Sequence, residues 1–174
     1  MQLKTLCLSL ALVMAGCATS PSPRSAQVPA ALDPGAGEKL AFVVPAKGDQ
    51  IYECREVKDK PGTFDWAFVA PEAVLYDITG KKIGKHYAGP HWESDDGSKV
   101  IGAVKQRADA ASPKDIPLLL LGTRSVGGKG GFSGVTSIQR LKTVGGVAPA
   151  GGCTLAGQKA RVPYTADYYF FTAR

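Results

Sequence analysis

The sequence predicts an all-β fold, either an antiparallel β-sandwich or a partly closed barrel, of about nine strands with one disulfide. Three observations support this prediction. The 174 residues include 21 Gly and 12 Pro, a composition that favours short strands joined by turns over long helices. Val, Ile, Tyr and Phe fall in short runs, many of which alternate with polar residues at the period of a half-buried strand. Two closely similar turn signals also separate such runs.

Residues 1–17 form a predicted export leader. Lys4 supplies a positive start, and the apolar stretch that follows is shorter than the roughly 20 residues that span a bilayer. The leader ends in the letters LVMAGC, which resemble a bacterial lipobox and make Cys17 the predicted lipidation site, with palmitate-type acyl chains. Ala18 after the cysteine implies an outer-membrane lipoprotein that faces the periplasm. Plain secretion with cleavage near Ala15 is the alternative.

Residues 18–38 are a predicted flexible tether, because Pro, Ser and Ala dominate them and few large apolar residues are present to bury. Residues 39–174 are the predicted β domain. Once Lys4 leaves with the leader, 20 Lys and Arg remain against 15 Asp and Glu. These basic residues are dispersed, so the sequence offers no support for nucleic-acid binding.

Cys54 and Cys153 are the two cysteines of the predicted domain. An exported compartment is oxidising, so we expect a disulfide between them. A metal-binding or reactive pair is the alternative, but neither residue has the Cys-x-x-Cys spacing or a local histidine partner that such sites use.

The first predicted strands cover residues 40–44 and 50–57. In the next run Phe64, Trp66 and Phe68 alternate with smaller or polar residues, so the three aromatic side chains share one face. That face is either part of the core or an aromatic platform for a ligand. A further strand is expected after Pro71.

A β-meander is predicted between residues 73 and 105. Asp77 and Gly80 occupy the first and fourth positions of a type I turn closed by a left-handed glycine, and Gly97 ends a similar turn that starts at Ser94. Three strands follow from these turns. The middle one runs from residue 82 through the segment that carries His91.

The C-terminal half is predicted to alternate loops and strands. The Gly, Pro, Ala and Ser content of loops is found in residues 108–117, 127–131 and 145–152, and the apolar content of strands in residues 118–121, 135–144 and 160–172. A short helix is the alternative for residues 118–121. Pro163 predicts that the last strand begins at an edge or contains a break.

Several strings of this sequence resemble the family catalogued as domain of unknown function 3455. They are QIYEC at 50–54, WAF at 66–68, APEA at 70–73, HYAGP at 86–90, WE at 92–93, DGS at 96–98, IQR at 138–140, GGVAP at 145–149 followed by Cys153, and VPYTADYY at 162–169. The resemblance extends from about residue 40 to the end. It implies an exported bacterial or fungal protein and a domain of this extent, but no catalytic residues. It also gives His86 more weight than His91.

The two histidines are the main candidates for chemistry. His86 and His91, with Glu93, Asp95 and Asp96 nearby, could hold a metal only if a bend at Gly89-Pro90 turned both rings to one side, since residues five apart on a regular strand face opposite ways. An acid/base role for His86 and a structural, hydrogen-bonded histidine are the alternatives. The sequence predicts no metal, no cofactor and no catalytic residue.

These observations favour a non-enzymatic, lipid-anchored protein of the cell envelope that binds a small molecule, glycan or protein partner. The predicted ligand contacts are His86, Tyr87, Trp92 and Glu93, in an irregular segment between the two turns where Gly-Pro interrupts the strand. The alternative hypothesis is a metal-dependent or acid/base enzyme centred on His86.

Overall fold

Eight antiparallel strands form one sheet that closes on itself as a barrel. A computed structural model describes residues 28–174. The strands are β1 Glu38–Glu56, β2 Phe64–Tyr76, β3 Lys82–Tyr87, β4 His91–Ser94, β5 Lys99–Ala108, β6 Leu118–Ser125, β7 Val135–Gly145 and β8 Lys159–Ala173. Each pairs with its neighbours in chain order, and β1 pairs with β8 to close the ring. The predicted all-β antiparallel class is confirmed, in the barrel form.

Within residues 28–174 the number of strands is eight, where about nine were expected. The runs predicted as separate strands at 40–44 and 50–57 form one strand, β1, and the run from Phe64 continues through Pro71 to form β2. A register shift between Ile51 and Tyr52 bends β1 without ending it. The middle strand of the predicted meander is instead divided, because the chain reverses at Gly89-Pro90 to form the hairpin of β3 and β4.

Both predicted turns are present. At the first, the Gly80 amide donates to the Asp77 carbonyl over 3.0 Å, and the Asp77 carboxylate accepts from the Thr79 amide over 2.8 Å. At the second, the Gly97 amide donates to the Ser94 carbonyl over 3.0 Å. Gly80 and Gly97 have φ angles of 85° and 86°, which glycine adopts without the steric cost that a side chain would bring.

The barrel interior is packed in one half and hollow in the other. Three phenylalanine rings, Phe42, Phe132 and Phe170, pack against one another with centroids 4.9 to 5.9 Å apart. Around them lie fully buried aliphatic side chains such as Val44 and Leu75. These contacts form the main hydrophobic core. Toward the opposite end of the strands the side chains surround a cavity.

The predicted disulfide between Cys54 and Cys153 is present and joins β1 to the loop that follows β7. Cys54 pairs across the sheet with Trp66 of β2, so the bond fastens the long loop to the barrel wall beside the hollow half. The two cysteines are 99 residues apart in sequence.

The last part of the predicted tether packs on the barrel. A single 3₁₀ turn, Ala30–Leu32, precedes β1, and the Leu32 side chain is fully buried with Leu120 and Leu141 on the outside of the sheet. The Gln139 side-chain amide donates to the Leu32 carbonyl over 2.6 Å. The predicted leader and Cys17 lie outside the described residues. Within residues 28–174, no helix is long and apolar enough to cross a membrane.

Candidate functional site

The barrel encloses a cavity of about 650 Å³, which is within the range of small-molecule sites, roughly 300 to 1,000 Å³. Aromatic and aliphatic side chains form most of its wall. Near the opening, Phe68, Val69 and Val104 are 52%, 39% and 57% exposed, whereas deeper residues such as Trp92 and Tyr168 are almost completely buried. The site is therefore a preformed pocket with an apolar entrance.

The β3–β4 hairpin places His86 and Trp92 at the inner wall. The two residues are direct cross-strand partners, so their side chains lie on the same face of the sheet. Their rings stack with centroids 4.2 Å apart and an angle of 18° between the planes. Tyr168 of β8 meets both rings edge-on, with centroid distances of 5.1 and 5.4 Å. Two of the four predicted ligand contacts therefore line the cavity.

His86 is held as a neutral ring. Its Nδ1 lies 2.8 Å from the His91 carbonyl oxygen, and because a carbonyl only accepts, Nδ1 carries the proton and Nε2 has a free lone pair. Burial lowers the pKa of His86 from 6.5 to about 3, since the charged ring would lose its hydration. A ring with that pKa is a weak general base near neutral pH.

His91 faces away from the cavity, so the two histidine rings do not meet. Its ring stacks on Tyr87 with centroids 5.2 Å apart, and its Nδ1 lies 2.5 Å from the Ala88 carbonyl oxygen. The bend at Gly89-Pro90 forms a hairpin that leaves His86 inside and His91 outside. Nowhere in residues 28–174 do three His, Cys, Asp or Glu side chains form a group that could hold a metal ion.

Tyr87 and Glu93, the other two predicted ligand contacts, lie on the outer surface. The Tyr87 hydroxyl donates to a Glu93 carboxylate oxygen over 2.5 Å, and the Lys85 ammonium lies 3.3 Å from the other oxygen. The hydrogen bond to Glu93 raises the pKa of Tyr87 to about 12. These outer residues do not contact the cavity that His86 and Trp92 line.

Two arginines of the cavity were not identified from the sequence. Arg107 is exposed near the opening, and Arg140 is partly buried on β7 between Leu119 of β6 and Tyr168 of β8. The Arg140 Nε and Nη2 atoms donate to the Pro117 carbonyl over 3.0 and 2.8 Å. In the described part of the chain neither guanidinium forms a salt bridge, and no acidic residue lines the cavity.

Three further polar groups of the cavity lining lack partners. The Trp66 and Trp92 indole nitrogens and the Gln50 side-chain amide nitrogen are buried and have no hydrogen-bond acceptor within residues 28–174. All three are donors. A buried donor without an acceptor costs roughly 1 to 3 kcal/mol. Trp66 and Trp92 are the two tryptophans of the chain, so both of its tryptophans lie in the cavity wall.

One feature of the sequence could have indicated that the Arg140 side chain faces the barrel interior. Arg140 lies two residues after Ile138, which is fully buried in the core, so the alternation of a strand directs both side chains inward. A charged residue at an inward position is unusual and indicates a binding site. Without the strand pairing, however, nothing connects this position to His86.

The comparisons with known proteins identify a family. A family model described as "Protein of unknown function (DUF3455)" matches residues 34–172. No curated protein and no solved structure gave a significant match. The matched residues cover most of the chain and nearly all of the barrel, in agreement with the resemblance seen in the sequence. This chain therefore belongs to the family of proteins of unknown function DUF3455.

Proposed function

We propose that this protein is a non-enzymatic binding module that holds a small organic molecule inside its barrel. The observation that carries the proposal is the cavity of about 650 Å³ with an aromatic wall and unpaired donors. Ligand pockets combine mostly apolar walls with a few polar groups that fix orientation. The cavity has both components.

The scaffold around the cavity is suited to binding without rearrangement. A closed barrel fixes the positions of inward side chains from several strands at once, and the bond between Cys54 and Cys153 restrains the neighbouring loop. A pocket that is already formed avoids the ordering cost that flexible sites incur on binding. This favours an occupant of the interior over a partner on the outer face.

We further propose that the protein works in the cell envelope, anchored by acyl chains on Cys17 to the outer membrane. The letters LVMAGC and the Pro-rich segment after them support this location. Metabolic labelling with palmitate tests it: label is expected on the wild-type protein and not on a Cys17→Ser variant. Equal labelling of both would contradict lipidation at Cys17, and a soluble, unlabelled wild type would favour plain secretion.

The cavity proposal is tested with N-phenyl-1-naphthylamine and 8-anilinonaphthalene-1-sulfonate, two aromatic probes that brighten in an apolar environment. Binding is expected to quench the intrinsic emission of the protein, because Trp66 and Trp92 both line the cavity. Emission that stays constant while the probes saturate the protein would place them elsewhere. Absence of binding by both probes would overturn the proposal.

A matched pair of double variants locates the binding. Leu119→Trp with Val104→Trp adds two large rings to the cavity wall and is expected to weaken probe binding. Val144→Trp with Ile78→Trp adds the same rings at positions that are 62% and 85% exposed and do not line the cavity, so it should leave binding unchanged. Thermal melting checks that both variants fold. Turnover of a bound compound that disappears in His86→Gln would instead establish an enzyme.

A further inference from the structure

We infer that the molecule bound in the barrel is an organic anion, with an apolar body and one acidic head group such as a carboxylate or sulfonate. The inference rests on the proposed function and specifies the class of ligand. It follows from the charges of the cavity lining, from its hydrogen-bonding groups and from its apolar entrance.

The charge of the cavity lining is entirely positive. Arg107 and Arg140 are the two charged residues among those that line it. Within residues 28–174, seven close ion pairs occur elsewhere on the barrel, yet neither arginine takes part in one. Arg140 is partly buried, and a charge withdrawn from water is costly unless an opposite charge compensates it. An anionic ligand would provide that charge at the place where the protein provides none.

Arg140 acts on the buried part of the cavity. Its charge opposes the rise that burial produces in the pKa of Tyr168, and it adds to the lowering of the His86 pKa that burial causes. The Pro117 carbonyl satisfies two of its N–H atoms. That oxygen carries only a partial charge, so the guanidinium stays uncompensated. Arg140 is thus a cation held next to the aromatic rings of the inner wall.

The unpaired donors indicate the same class of ligand. The N–H groups of Trp66, Trp92 and Gln50 require acceptors that residues 28–174 do not supply. The Gln50 side chain opposes the rise that burial causes in the pKa of Tyr164, but its Nε2 has no acceptor in hydrogen-bond geometry there. A carboxylate or sulfonate offers several lone pairs and donates none. A hydrocarbon would leave these donors unsatisfied, and an organic cation would be repelled by both arginines.

The entrance accounts for the apolar body of the ligand. Phe68, Val69 and Val104 keep 39% to 57% of their surface exposed at the opening. An apolar group lying against them would remove this surface from water, which favours binding. An inorganic anion such as chloride would satisfy the arginines but would leave this surface and most of the cavity volume uncovered.

The test compares two probes that share one aromatic skeleton. 8-Anilinonaphthalene-1-sulfonate carries a sulfonate, and N-phenyl-1-naphthylamine is the same skeleton without it. Hydrogen bonds to charged groups contribute about 1.5 to 3 kcal/mol, so the sulfonate probe is expected to bind about 10- to 100-fold tighter, at 1.4 kcal/mol per tenfold. Equal affinities, or tighter binding of the neutral probe, would overturn the anion inference and leave the proposed function standing. Failure of both probes would overturn both.

Variants assign the effect to the arginines. Arg140→Met should weaken the sulfonate probe by about tenfold or more, because one charge-assisted contact is lost, and should leave the neutral probe unchanged. Arg124→Met, at an exposed position outside the cavity lining, is the matched control and should change neither. An equal loss for both probes in Arg140→Met would contradict the inference. If Arg140→Met does not fold, Arg107→Met, at the exposed entrance, replaces it as the test. This variant too should weaken binding of the sulfonate probe and leave binding of the neutral probe unchanged.

Discussion

The neutral state of His86 makes the stability of the barrel dependent on pH. His86 is 3% exposed, and its pKa in the folded protein is about 3 against 6.5 in a free side chain. As the pH falls below 6.5, the unfolded chain gains a proton at this residue while the folded chain does not. Acid therefore favours unfolding, and the contribution of His86 to stability is lost progressively from pH 6.5 down to about pH 3.

The magnitude follows from the span of pH over which the two states differ. Each pH unit in that window costs about 1.36 kcal/mol for one proton. When the pH falls from about 7.5 to about 4.5, only the roughly two pH units below 6.5 contribute. Protonation of His86 in the unfolded chain should therefore lower the free energy of unfolding by about 2 to 3 kcal/mol. Glutamate side chains, with an ordinary pKa of about 4.3, are already partly protonated at about pH 4.5. The contribution of His86 is therefore read from the difference between the wild type and a variant that lacks the titrating ring.

Urea unfolding of the wild type and of His86→Gln at several pH values measures this difference. Glutamine can still donate to the His91 carbonyl, and it does not titrate, so the variant should lose about 2 to 3 kcal/mol less than the wild type over the same interval. His91→Gln is the matched control and should follow the wild type, because the His91 ring lies on the outer face. Equal losses in the wild type and His86→Gln would refute the claim that the ring is buried and neutral.

Three further predictions concern the fold. Reducing the disulfide, whose cysteines are 99 residues apart, should lower the unfolding free energy by about 4 to 5 kcal/mol in urea titrations; unchanged stability would show that the loop is restrained by other contacts. Gly102→Ala should cost about 1 to 3 kcal/mol, because a Cβ there would lie 2.8 Å from Trp92. Gly134→Ala meets no atom closer than 4.0 Å and should cost much less. Asp96→Asn should lower the melting temperature, because hydrogen bonds from Ser98 and Gly131 hold the pKa of the Asp96 carboxyl below its usual range. The stability that these hydrogen bonds add is present above the usual carboxyl pKa and is lost in acid. Asp95→Asn, beside it, is the control, and an equal effect of both would contradict the assignment.

The local features of the fold could be predicted because their causes lie within a few residues. The turns at Asp77 and Ser94 depend on an oxygen-bearing side chain at one end and a glycine in the left-handed region at the other. The disulfide could be predicted because residues 39–174 contain one pair of cysteines and the sequence predicts export to an oxidising compartment. The two long strands were divided in the prediction because Pro45 and Gly48 in β1 and Pro71 in β2 look, in sequence, like strand ends.

The candidate site could be predicted only in part, since its residues come from distant strands. His86 and Trp92 are six residues apart and meet across one hairpin, so a segment that carries both was found. Tyr87 and Glu93 alternate with them and therefore face outward. Arg140 and Trp66 join the cavity only because β7 and β2 are parts of one closed ring. That closure depends on pairing between β1 and β8, which no local pattern specifies.

The claim that the barrel interior binds an acceptor-bearing ligand is tested most directly by the indole N–H signals in a ¹⁵N-correlated NMR spectrum. The chain has two tryptophans, both in the cavity wall and both without an acceptor in residues 28–174. Titration with 8-anilinonaphthalene-1-sulfonate should shift both indole signals in saturable fashion with the same dissociation constant. Both indole signals staying in place, while backbone amides of the outer surface shift, would contradict the account.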